Sequence, residues 1–119
     1  MEASEIIRRN EAVARFMGLT CPPTYDGPNS VGRGYYDPND LRYHDEWQWL
    51  MPCVEKITMK TGAMFQLRRD DIGEGRTGYY CYFQAMPYGT LEEDIRWNAE
   101  TMILATFLAV SEYCLSLEA

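Results

Sequence analysis

What this chain lacks narrows its chemistry before any residue is given a role. It has one histidine, His44, and its cysteines, Cys21, Cys53, Cys81 and Cys114, form no C-x-x-C pair. Metal-ligand spacing is absent, so neither a metal nor a cofactor is expected. Positive charge is scarce: 11 Lys and Arg stand against 18 Asp and Glu, a net charge of −7. Binding through neutralised phosphates loses its main driving term on such a surface, which argues against ordinary nucleic-acid binding. The basic pairs Arg8, Arg9 and Arg68, Arg69 form no stripe. No apolar run approaches the ~20 residues of a membrane span, because Glu100 and Glu112 bound the longest one. The opening Met1-Glu2-Ala3-Ser4-Glu5 has no basic region leading into an apolar one, so a cytoplasmic protein with reduced thiols is expected.

Catalytic signatures are missing too. There is no G-x-S-x-G, and no cysteine is spaced to pair with His44. The stretch Gly27-Pro28-Asn29-Ser30-Val31-Gly32-Arg33-Gly34 has the glycines of a phosphate loop but no lysine after the second glycine and no hydroxyl for magnesium. Asp70, Asp71 and Glu74 share a glycine-bearing loop without the alternate-residue ligand order of an EF-hand.

What is present suits one packed domain over residues 1–119. The 46% hydrophobic and 13% aromatic content of these 119 residues is ordinary for a globule. A first helix is predicted over 4–17, with Ser4 as N-cap, Ile6, Asn10, Val13 and Met17 on one stripe, and Gly18 as the stop. Residues 19–43 are dense in proline, glycine and asparagine and read as a long loop, a common place for binding. A second helix starts near Asp45, where Asp45-Glu46-Trp47-Gln48 reads as a capping box. Its buried stripe is Trp47, Leu50, Met51, Val54 and Ile57, and Pro52 is expected to kink it before Gly62 ends it.

Alternation then gives two strands around Phe65–Leu67 and Tyr79–Ala85, joined by a loop over 70–78. Two strands alone are marginal and need a third strand or a helix against them. From a capping box at Thr90-Leu91-Glu92-Glu93, a continuous helix is predicted to about Leu117, roughly 40 Å long. Glu92, Glu93 and Asp94 read as first-turn acids, and the middle of the helix is apolar on every side. The expected fold is α+β: three main helices with a β-hairpin or small three-stranded antiparallel sheet, in the order α-loop-α-β-β-α. The long C-terminal helix is central, and its excess length suggests a homodimer through 91–117. Cys53, Cys81 and Cys114 fall inside elements and read as buried thiols.

The best ligand-type residues gather in and after the loop. Arg33, Tyr35, Tyr36, Arg42, Tyr43 and His44 combine flat aromatic faces with fixed positive charge, suited to a small anionic, nucleotide-like ligand. The plainer reading is that the tyrosines pack the loop onto the core. His44 precedes Asp45 and Glu46, so it is either a general base oriented by a carboxylate or a hydrogen-bonded residue near a helix end.

Two stretches carry a resemblance: Asn10-Glu11-Ala12-Val13-Ala14-Arg15-Phe16-Met17-Gly18, and Tyr43-His44-Asp45-Glu46-Trp47-Gln48-Trp49-Leu50-Met51-Pro52 continuing through Val54-Glu55-Lys56-Ile57. Together they resemble a family of short uncharacterised bacteriophage and mobile-element proteins. The resemblance implies origin and carries no catalytic residue. The resulting expectation is a non-catalytic accessory protein of phage type in the host cytoplasm, binding a host protein or a small ligand. The alternative is a small enzyme using His44 with a neighbouring carboxylate.

Overall fold

The computed structural model describes residues 1–19, 38–71 and 77–118. Helix α1 spans Ala3–Phe16, α2 spans Trp47–Thr61 and α3 spans Met102–Ser116. Strands β1 (Met64–Asp71), β2 (Thr77–Gln84) and β3 (Ile95–Ala99) form one antiparallel sheet in the order β1-β2-β3. The expected α+β class holds. The element order gains a strand, however, and the predicted rod over 91–117 does not exist.

Residues 91–94 are not helical, 95–99 form β3, and the last helix begins at Met102. Its N-cap is Thr101, whose side chain accepts a hydrogen bond from the Leu104 N–H at 3.2 Å, so Thr90 caps nothing. The reason is the pairing requirement of β2. Tyr79 to Phe83 need a partner on their second side, and Ile95 to Ala99 supply it, Cys81 opposite Trp97. Ile95, Trp97 and Ala99 alternate with exposed Arg96 and Asn98, a period of two that serves a half-buried strand. Asp94, expected in a first helical turn, instead accepts from the Ala85 N–H at 2.7 Å and the Tyr82 hydroxyl at 2.8 Å, pinning the turn before β3.

At 15 residues, α3 is about 22 Å long and is the central element. One side packs on β2 and β3, the other on α1 and α2. Ala105, Phe107, Ala109, Val110, Tyr113 and Cys114 are all buried, which accounts for a helix apolar all round. Its apolar middle is thus covered by the chain itself, and the length argument for a dimer through 91–117 falls.

The other helices follow their signals more closely. α1 ends in a Schellman motif: Gly18, at φ +83°, donates to Arg15 O, and Leu19 donates to Ala14 O. Its N-cap is Glu2 rather than Ser4, with no side-chain cap bond. α2 is capped at Glu46, also without a side-chain bond, and runs through Pro52 to Gly62 at φ +72°. Pro52 and Gln48, whose carbonyl loses its partner, are both exposed. The buried stripe is Leu50, Cys53, Val54, Ile57 and Thr61, whereas Trp47 and Met51, assigned to it from spacing, are exposed. The strands extend beyond the predicted ends, taking Asp70, Asp71, Thr77 and Gly78 from the expected loop.

Near the end of α2, the Thr90 N–H donates to Thr61 O at 2.8 Å. A methyl group on Gly89 would run into that same carbonyl, so glycine is required there for close approach. A cluster around the buried Arg9 ties α1 to α3 and β3. Arg9 donates to Glu5 at 2.9 Å, to Ser111 Oγ at 2.9 Å and to Glu112 at 3.4 Å, with its guanidinium 5.4 Å from the Trp97 ring.

Candidate functional site

Sequence reasoning placed six residues in a ligand site, and the structure brings only some of them to one place. Arg33, Tyr35 and Tyr36 lie outside the described residues, as do the 27–34 glycine stretch and Cys21. Arg42 is exposed and ion-paired with Asp45 at 2.7 Å. Tyr43 is buried, its ring edge-on to Trp49 with centroids 5.1 Å apart, so it anchors the chain rather than offering a face. Leu41 is buried likewise. With Leu41 and Tyr43 both buried, the segment between the 3₁₀ turn Pro38–Asp40 and α2, which includes a turn closed by the Glu46 N–H donating to Arg42 O at 2.9 Å, is held against the core.

His44 sits where that segment crosses α1. It lines a cleft of about 230 Å³ with Ala3, Ile6, Ile7, Asn10, Asn39 and Leu41. Its ring packs edge-on to Phe107 at 6.1 Å. Nδ1 lies 2.9 Å from Asn10 Nδ2, and Nε2 lies 3.5 Å from Asp45 Oδ2. These neighbours settle the tautomer of the neutral ring. A carboxylate beside Nε2 favours a proton there, leaving the Nδ1 lone pair to accept from the Asn10 amide N–H. The nitrogen a general base would use is therefore already occupied.

The same assignment leaves the other end of the Asn10 amide over. Asn10 is 2% exposed, and its Oδ1 is the one buried side-chain nitrogen or oxygen without a hydrogen-bond partner among the described residues. The sequence did carry a signal for it: an asparagine between Ile6 and Val13 on an otherwise apolar stripe. A polar side chain driven into such a stripe has to be satisfied or used.

The three described thiols are not poised as nucleophiles. Burial pushes the Cys53 and Cys81 thiols up to about 12 and the Cys114 thiol higher still. All three are free and buried, as expected from their positions in elements. Among the described residues no group of His, Cys, Asp and Glu is placed to hold a metal ion, and no helix is long and apolar enough to cross a membrane. No protein-family model, curated protein or solved structure matches this chain.

Proposed function

We propose that this is a non-catalytic binding protein that takes a small ligand in the cleft between the N-terminal half of α1 and residues 39–44. The observation that carries it is Asn10: buried, lining the cleft, and holding an amide oxygen with no partner among the described residues. Burying such a group unpaired costs about 1–3 kcal/mol. A site that tolerates this cost is poised for a partner that arrives from outside. The engaged lone pair of His44 and the deeply buried thiols support binding over catalysis. The sequence resemblance supports an accessory protein of phage or mobile-element origin working in a host cell.

A fragment panel followed by methyl NMR tests the reading. Hits are expected to move the Ile6, Ile7 and Leu41 resonances and to leave the protein chemically unaltered by mass spectrometry. A hit converted to product by the protein but not by His44→Ala would establish the enzyme alternative instead. No perturbation at the cleft by any compound would remove the proposal.

A second reading is favoured by a separate observation. Trp47, Met51 and Met59 recur at multiples of four residues along the outer face of α2 and are exposed, Met59 by 80%. This face supports a homodimer better than α3 does. Sedimentation is expected to show a dimer that Met51→Glu converts to monomer; a monomer at all concentrations ends that reading.

A further inference from the structure

The outer side of the sheet carries a second groove, independent of the Asn10–His44 cleft. We propose that it binds a free nucleoside monophosphate, its base stacked against Arg96 and its phosphate held by Arg68. The face follows from alternation. Cys81 and Phe83 are fully buried under α3, so Gln66, Arg68, Tyr80, Tyr82, Arg96 and Asn98 fall on the opposite side, where all are half-buried or exposed. Gln66, Tyr80, Tyr82, Asp94 and Arg96 line a groove of about 410 Å³ there, within the roughly 300–1,000 Å³ of small-molecule clefts.

Stacking needs flat surfaces that stay in place, and this groove has two. The Arg96 guanidinium lies 4.1 Å over the Tyr80 ring, and Arg96 is exposed, so the outer side of that plane is presented to the groove. Bases stack on arginine planes as well as on aromatic rings. The Tyr82 ring is fixed at its far end, where its hydroxyl donates to Asp94 Oδ2 at 2.8 Å. Gln66, opposite Tyr82, brings an amide for the base edge.

Charge sets the direction of the ligand. On a chain of net charge −7, Arg68 stands on this face directly opposite Tyr80, with no hydrogen bond or ion pair among the described residues. Its fork suits a phosphate. Asp94, the one carboxylate of the described lining, has both oxygens engaged, by the Ala85 N–H and the Tyr82 hydroxyl. It precedes the pairing of Ile95 with Phe83, while Arg68 is level with Tyr80, three residue pairs further along and about 10 Å away. An anion at the Arg68 end therefore avoids Asp94, and the base lies between. A free nucleotide carries little charge beside a longer strand, whose further phosphates would lie against the acidic remainder of the chain.

Adenosine, guanosine, cytidine and uridine monophosphates, the matching nucleosides, ribose 5-phosphate and a single-stranded oligonucleotide test this on the full chain. Each is titrated while the Tyr80 and Tyr82 rings and the Gln66 side-chain amide are followed by NMR. At least one monophosphate is expected to bind at least about tenfold more tightly than its nucleoside and than ribose 5-phosphate. Arg68→Gln is expected to bring that monophosphate down to its nucleoside and to leave the nucleoside unchanged. Arg96→Lys, which keeps the charge and removes the plane, is expected to weaken both by about fivefold or more. Should either variant not fold, the ranking of the probes on the natural sequence decides alone. Equal binding of monophosphate and nucleoside, an unchanged affinity in folded Arg68→Gln, or tighter binding of the oligonucleotide overturns the proposal. So does silence of every probe at millimolar concentration, or a shift of the Ile6 and Leu41 methyls in place of the tyrosine rings. Each of these outcomes leaves the reading of the Asn10–His44 cleft standing.

Discussion

On α3, Thr106 and Ser111 are as deeply buried as any apolar side chain of the core, yet both are engaged. Thr106 Oγ1 donates to Met102 O at 2.9 Å, and Ser111 Oγ donates to Leu108 O at 3.2 Å while accepting from Arg9. On α1, Asn10 is buried almost as completely, and half of its amide has no partner among the described residues. The hydroxyls sit where helix, sheet and Arg9 meet and complete that contact. Asn10 sits where α1 faces a connecting segment across a cleft. Burial of polar groups is common to both regions, and satisfaction separates them: the hydroxyls of the first are paired, whereas the second keeps one acceptor unpaired among the described residues.

Phe107 gives the most severe test, because it belongs to both regions. It is fully buried in the core and stands behind the His44 ring. Phe107→Ala is expected to cost about 3–5 kcal/mol in chemical denaturation and to abolish fragment binding at the cleft. Retained stability would mean that α3 is not the centre of the fold. Ser111→Ala comes next, at about 1–2 kcal/mol, since it leaves an N–H of the buried Arg9 short of its acceptor. Asn10→Leu is expected to change stability by less than about 1 kcal/mol, because losing the bond to His44 is offset by removing an unpaired carbonyl. If Asn10→Leu cost more than Ser111→Ala, the contrast between the two regions would reverse.

The smallest effect lies on the surface around them. Hydrogen bonds from Arg8, joined by Arg9 and opposed by desolvation, hold the Glu5 carboxyl down to about 2. Arg15, bonded to Glu118 at 2.6 and 2.8 Å, lowers that carboxyl, and the Ala85 N–H followed by the Tyr82 hydroxyl lowers Asp94. Depressed carboxyls bind fewer protons folded than unfolded, so their contribution is fully present above the ordinary carboxylate range, about 4 to 4.5. It is lost as pH falls through the lowered values. Melting temperature is therefore expected to be flat from pH 7 to 5 and to fall toward pH 2. Arg15→Gln is expected to shrink that fall, and a melting temperature rising on acidification would contradict the assignment of these pairs.

Much of the architecture was readable because its signals are local. Gly18 and Gly62 stop their helices at positive φ, which glycine adopts without strain, and the alternation of Phe65, Leu67, Cys81 and Phe83 set two strands. The failures were not local. Nothing between Leu91 and Leu117 forbids a helix, and only the open side of β2 turned Ile95–Ala99 into a strand. Trp47 and Met51 have the spacing of core residues, but the face of α2 that meets α3 carries Leu50, Cys53, Val54 and Ile57. In the site, His44 and Arg42 were visible as chemistry-bearing residues. Asn10, 34 positions away, became its polar floor only when α1 met the 39–44 segment.

The sequence by itself determined composition-level limits, the helix stops, the first hairpin and the burial of three thiols, because those depend on charge totals, backbone freedom and short-range periodicity. The tertiary structure alone decided that β3 exists, that α3 is shielded by its own chain, and which atom of which amide was left unpaired beside His44. Each of these turns on hydrogen-bond partners brought together from distant parts of the chain, and no local pattern encodes whether such a partner will be there.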